Sequence, residues 1–97
     1  MKNTEKGMAM NVTFDFGETK HVRIEVLSRN NEPFEIFDAT YELVSEGGEV
    51  EDSGIAVINE HVLDVLLEPK KTGMYKLRFI YHIGDQTLIE ELNMVVV

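Results

Sequence analysis

The chain contains no cysteine and no tryptophan. The first absence removes a disulfide framework, a thiolate zinc site and a cysteine nucleophile at once. The second weakens carbohydrate binding, which favours exposed aromatic platforms, since the three tyrosines fall mostly at inward-facing positions. Basic residues are also scarce. Nine Lys and Arg stand against 18 Asp and Glu, for a formal charge of −9, and none of the nine lies between Arg29 and Lys70. That balance argues against unaided binding to nucleic-acid phosphates or anionic lipid. No apolar run approaches the roughly 18 residues a membrane-spanning helix needs. The first ten residues carry Lys2, Glu5 and Lys6 and lack the apolar core of a signal peptide. The expected location is therefore the cytoplasm.

What the sequence does have is alternation with a period of two, the mark of half-buried strands. After an N-terminal arm over residues 1–10, expected to be flexible, Val12, Phe14 and Phe16 alternate with Thr13 and Asp15. Gly17-Glu18 follows as a turn. Val22, Ile24 and Val26 alternate with His21, Arg23 and Glu25, and Ser28 to Pro33 concentrates turn formers. Thr40 to Ser45 reads as a third strand with Tyr41 and Leu43 inward, entered through Phe34, Ile36 and Phe37, which are expected to plug one end of the core. Glu46-Gly47-Gly48-Glu49 predicts a tight hairpin. Short strand pieces over Val50–Ser53 and Ile55–Ile58 flank Gly54, an expected bulge or bend.

Asn59 to Glu68 satisfies a helical stripe about as well as a strand, with Asn59 able to cap a helix. Pro69 ends the run early, and the β-branched residues favour a strand. Tyr75, Leu77, Phe79, Tyr81 and Ile83 then form one face of the clearest strand, opposite Lys76, Arg78 and His82. Thr87 to Val97 returns as a final strand after the Gly84-Asp85-Gln86 turn. Several short strands with no long helical stripe predict one all-β domain over residues 11–97, an antiparallel sandwich of about seven strands. Phe14, Val22, Ile24, Tyr75, Leu77 and Phe79 are its expected core. The final strand, with no charge after Glu91, should be central or covered by another chain.

Catalytic signatures are missing. His21, His61 and His82 lie on different predicted strands without ligand spacing. Ser28, Ser45 and Ser53 lack a nucleophile-elbow glycine pattern, and Gly47-Gly48 and Lys70-Lys71 do not compose a phosphate loop. No enzyme, cofactor or metal is expected. The acidic middle is the informative feature, and Glu42, Glu46, Glu49, Glu51 and Asp52 are its candidate docking face for a basic partner. Calcium shared by Glu49, Glu51 and Asp52 is a minor alternative.

Pro69, Gly73, Tyr75, Leu77 and Phe79 resemble a late strand of immunoglobulin-like sandwiches in bacterial and phage proteins. Asp38-Ala39-Thr40-Tyr41 is similar to a step in the immunoglobulin-like N-terminal domain of phage baseplate upper proteins, with Asp38 where that family has glycine. The resemblance implies a noncatalytic structural module of a phage or prophage particle, located in the virion, that works through protein contacts or self-association. A small sandwich module binding carbohydrate or calcium is the alternative.

Overall fold

The computed structural model describes residues 11–28 and 32–97. The expected arm over residues 1–10 and the centre of the Ser28–Pro33 turn, residues 29–31, lie outside them. Eight strands follow one another: β1 (Asn11–Phe14), β2 (Lys20–Glu25), β3 (Ile36–Ser45), β4 (Val50–Ile55), β5 (Val57–Asn59), β6 (Val62–Leu67), β7 (Gly73–Ile83) and β8 (Gln86–Val96). They form a five-stranded sheet in the order β1-β8-β7-β3-β4 and a three-stranded sheet in the order β2-β6-β5. Every pairing is antiparallel except β1 with β8. The segment from Asn59 to Glu68 is β-structured, as its β-branched residues favour: Asn59 ends β5, and Glu60-His61 is the two-residue loop into β6.

Alternation decides which side chains are buried. Val22, Ile24 and Val26 from the smaller sheet, with Leu63, Val65 and Leu67, meet Leu43, Tyr75, Leu77, Phe79 and Tyr81 from the larger one in a single core cluster. All six expected core residues are buried within it. Each large aliphatic or aromatic side chain removed from water contributes about 1.5–3 kcal/mol, so this shared layer is what holds the sheets together. The Tyr75 hydroxyl keeps a polar partner at the core's margin by donating to the Lys71 carbonyl at 2.8 Å. β8 lies between β1 and β7, and β1 covers it from Asn93 to Val96.

Several expectations need correction. Among the described residues there are eight strands rather than about seven, because the run from residue 50 to 59 divides between sheets. The chain leaves the larger sheet at Ala56, where the Ala56 N–H donates to the Ala39 carbonyl. Gly54 is therefore not the bend. It stands opposite Tyr41 within β4, where a Cβ would come 3.2 Å from the tyrosine ring, and the bulge falls instead at Glu51, unmatched between the Leu43–Asp52 and Val44–Val50 pairs. Phe16 is exposed, since β1 ends at Phe14 and a turn closed by the Glu18 N–H on the Asp15 carbonyl carries it outward. Phe37 does not plug the core either. It is the extra residue between the Ile36–Ile83 and Asp38–His82 pairs, and the bulge leaves its ring exposed.

Candidate interaction surface

The outer face of the five-stranded sheet can be assembled from register, because residues directly opposite one another share a face. Thr40 is opposite Ile55 on one side and Ile80 on the other, and Ile80 is opposite Ile89. A row of three isoleucines interrupted by Thr40 thus crosses β4, β3, β7 and β8. Ile55 is 82% exposed and Ile89 61%. Single exposed apolar residues are ordinary on a protein surface, whereas large contiguous apolar patches are features of interaction sites. Phe37, 62% exposed, extends the row by stacking on the His82 ring at 6.2 Å between centroids. His82 Nδ1 in turn meets the Asp38 carboxylate.

The next row on the same face is charged and internally bonded, with one carboxylate in excess. Arg78 donates through Nε to Glu91 at 2.9 Å and through a terminal nitrogen to Glu42 at 3.0 Å. The bond to Glu91 is the main cause holding the guanidinium above its ordinary pKa range. Two carboxylates and one cation are thereby tied flat to the sheet beside the apolar row.

Where β4 departs at Ala56, the sheet is left with a notch. β3 continues through Asp38 to Ile36, paired with β7 on one side, and among the described residues no strand continues in β4's place on the other. The notch is a depression of about 400 Å³ lined by Phe37, Ile55, Ile58 and Ile80 with Asp38 and His82 at its side. A second depression of about 620 Å³ adjoins it, sharing Phe37 and Ile58 and adding Phe34, Glu35, Glu60 and His61. His61 is fixed there by stacking on Phe34 at 3.9 Å and by a 3.0 Å bond from its Nε2 to the Phe34 carbonyl.

The five acidic residues singled out in the sequence all belong to the β3–β4 hairpin but do not form one face. Glu42 is bonded to Arg78 on the outer face. Glu46 and Glu49 are exposed at the hairpin end, where Gly48 alone of the two glycines takes positive φ. Bulging turns Glu51 to the same side as Asp52, and the two line a separate cleft of about 330 Å³ with Glu68 and Lys70. Glu51 lies 3.6 Å from Lys71. Asp52 accepts the Tyr41 hydroxyl at 3.2 Å, and burial, followed by this carboxylate, pushes the Tyr41 phenol upward. Glu49, Glu51 and Asp52 are thus not gathered around one point, and among the described residues no group of three or more His, Asp or Glu side chains could share a metal ion.

The histidines, Ser28 and Ser45 have local partners. The buried Asp64 carboxylate accepts from His21 Nδ1 at 2.8 Å and Arg23 Nε at 3.0 Å on the outer face of the smaller sheet. Ser28 and Ser45 hydroxyls accept backbone N–H groups of Glu32 and Glu49. Sequence reading missed Ile55, Ile80, Ile89 and Phe37. One signal was present: Leu88-Ile89 is an adjacent apolar pair within an alternating strand, so one of the two must face outward.

No protein-family model matches the chain, and no curated protein matches it. It is similar to the solved structure of an engineered protein determined at 1.98 Å resolution, with a TM-score of 0.69 and 16% identity. The similarity covers 92% of this chain and 18% of that one, and at such identity it speaks to the fold alone. Among the described residues no helix is long and apolar enough to cross a membrane.

Proposed function

We propose that the chain is a noncatalytic, immunoglobulin-like β-sandwich that works by presenting the outer face of its five-stranded sheet to a protein partner. The immunoglobulin-like reading is supported by strand order. β2-β6-β5 corresponds to strands B, E and D of that architecture, and β8-β7-β3-β4 to G, F, C and an added C′. It is supported further by Tyr75, near the start of the F-equivalent strand, whose hydroxyl bonds a backbone carbonyl four residues upstream. The first strand departs from the constant-type arrangement by pairing with the last.

The contact reading is carried by one observation: exposed Ile55 and Ile89 lie in one cross-strand row with Thr40 and half-buried Ile80, beside a row in which Arg78, Glu42 and Glu91 are bonded to one another. Assignment to a phage or prophage particle rests on the sequence resemblance around Asp38–Tyr41 and Pro69–Phe79. The test exploits the absence of cysteine. Ile55→Cys and Leu66→Cys variants, each carrying one thiol-linked photo-crosslinker, are exposed to an extract of the source cells. A discrete adduct from position 55 and none from position 66, on the other sheet, supports the reading. Adducts from position 66 alone contradict it.

A further inference from the structure

We infer that the notch beside β3 and its adjoining depression receive an extended peptide segment that carries an apolar anchor side chain flanked by lysine or arginine. This inference rests on the contact reading above and names the chemistry of the partner. Three observations carry it. The first is backbone geometry: β4's ladder with β3 ends at Thr40–Ile55, followed by the bond from the Ala56 N–H to the Ala39 carbonyl, and among the described residues no strand is laddered to β3 from Ile36 to Asp38 on that side. An extended peptide adds to such an edge through main-chain hydrogen bonds, while pockets beside the edge select its alternate side chains.

The second is the lining. Phe37, Ile55, Ile58 and Ile80 surround about 400 Å³ of space, enough for one large apolar side chain and part of a second. The third is charge. Asp38, Glu35 and Glu60 border the two depressions, and among the described residues no lysine or arginine lines either. Glu60 is also held at a φ of +56°, a left-handed conformation that a glutamate adopts only at a cost. A second copy of this chain is a poor occupant, because two molecules of charge −9 would bring like-charged rims together. A cationic segment is drawn in by the same field.

The probes are two capped peptides of the same length, Lys-Val-Thr-Leu-Thr-Val-Lys and its counterpart with Glu in place of both Lys, titrated into the isotope-labelled full chain and followed by backbone amide NMR shifts. The expected result is shifts confined to Ile36–Ala39, Ile55–Ile58 and Ile80, with the cationic peptide binding at least about tenfold tighter and weakening as salt shortens the screening length. The Glu35→Lys/Glu60→Lys double variant, altered only at exposed positions, should reverse that preference. Equal binding of the two peptides, shifts centred on the Glu51–Lys70 cleft, or no shifts at millimolar peptide would overturn the inference. If position 55 still forms a discrete adduct in such a case, the contact face stands and only the proposed occupant fails.

Discussion

The hydroxyl of Tyr75 donates to the carbonyl oxygen of Lys71 at 2.8 Å, across the turn that brings the chain from β6 into β7. The ring itself belongs to the core, so this single side chain anchors the larger sheet's longest pairing, β7 with β8, to the preceding turn. Tyr75→Phe keeps the ring and removes only the bond. The expected loss is about 0.5–1.5 kcal/mol, read from a urea midpoint. A midpoint equal to that of the parent protein would mean that the bond contributes nothing and would weaken the immunoglobulin-like reading it supports.

Glu60 occupies the first position of the two-residue loop between β5 and β6 with φ at +56°. A left-handed residue with a Cβ costs about 1–2 kcal/mol, and glycine escapes that cost while adding about 0.5–1 kcal/mol of unfolded-state entropy. Glu60→Gly should therefore raise stability by about 1 kcal/mol or less, seen as a higher thermal midpoint. A lower midpoint would show that the glutamate side chain contributes more to the fold than its backbone strain costs.

Two phenols are held above their ordinary range. Tyr81 is raised by burial first and then by Glu90, and Tyr41 by burial and then by Asp52. Both folded-state values lie above the unfolded value near 10. Above that pH the unfolded chain has released protons that the native protein still holds, so stability is complete below about pH 10 and falls as pH rises beyond it. Urea midpoints should be level from pH 8 to pH 9.5 and decline by pH 11. In Tyr81→Phe, corrected for its own stability, the decline should be shallower. An equal slope in the two proteins would remove Tyr81 as its cause.

The strands and their inward faces were legible because burial on one side imposes a period of two. Val22 through Val26 and Tyr75 through Tyr81 read directly from that rule. Bulges were not legible. At Glu51 and at Phe37 one extra residue resets the alternation, and nothing in the local residue types announces it. The isoleucine row on the outer face was hidden for a related reason. Ile55, Ile80 and Ile89 are 25 and 9 positions apart in sequence and become neighbours only through pairings between strands. The acidic middle, conspicuous as a run of charges, dispersed because Arg78, Lys71 and Tyr41 reach Glu42, Glu51 and Asp52 from other positions in the fold.

Contacts made by the outer face of the five-stranded sheet, as proposed, require its exposed isoleucines. The most direct measurement is the affinity, by calorimetry, of the partner identified through position 55 for two variants of the chain. One carries Ile55→Lys with Ile89→Lys, both at exposed positions of that face; the other carries Leu66→Lys, exposed on the opposite sheet. The first variant is expected to bind at least about tenfold more weakly, a loss of about 1.4 kcal/mol, while the second binds as the parent does. Undiminished binding by the Ile55→Lys/Ile89→Lys variant, with binding lost in Leu66→Lys, would contradict it.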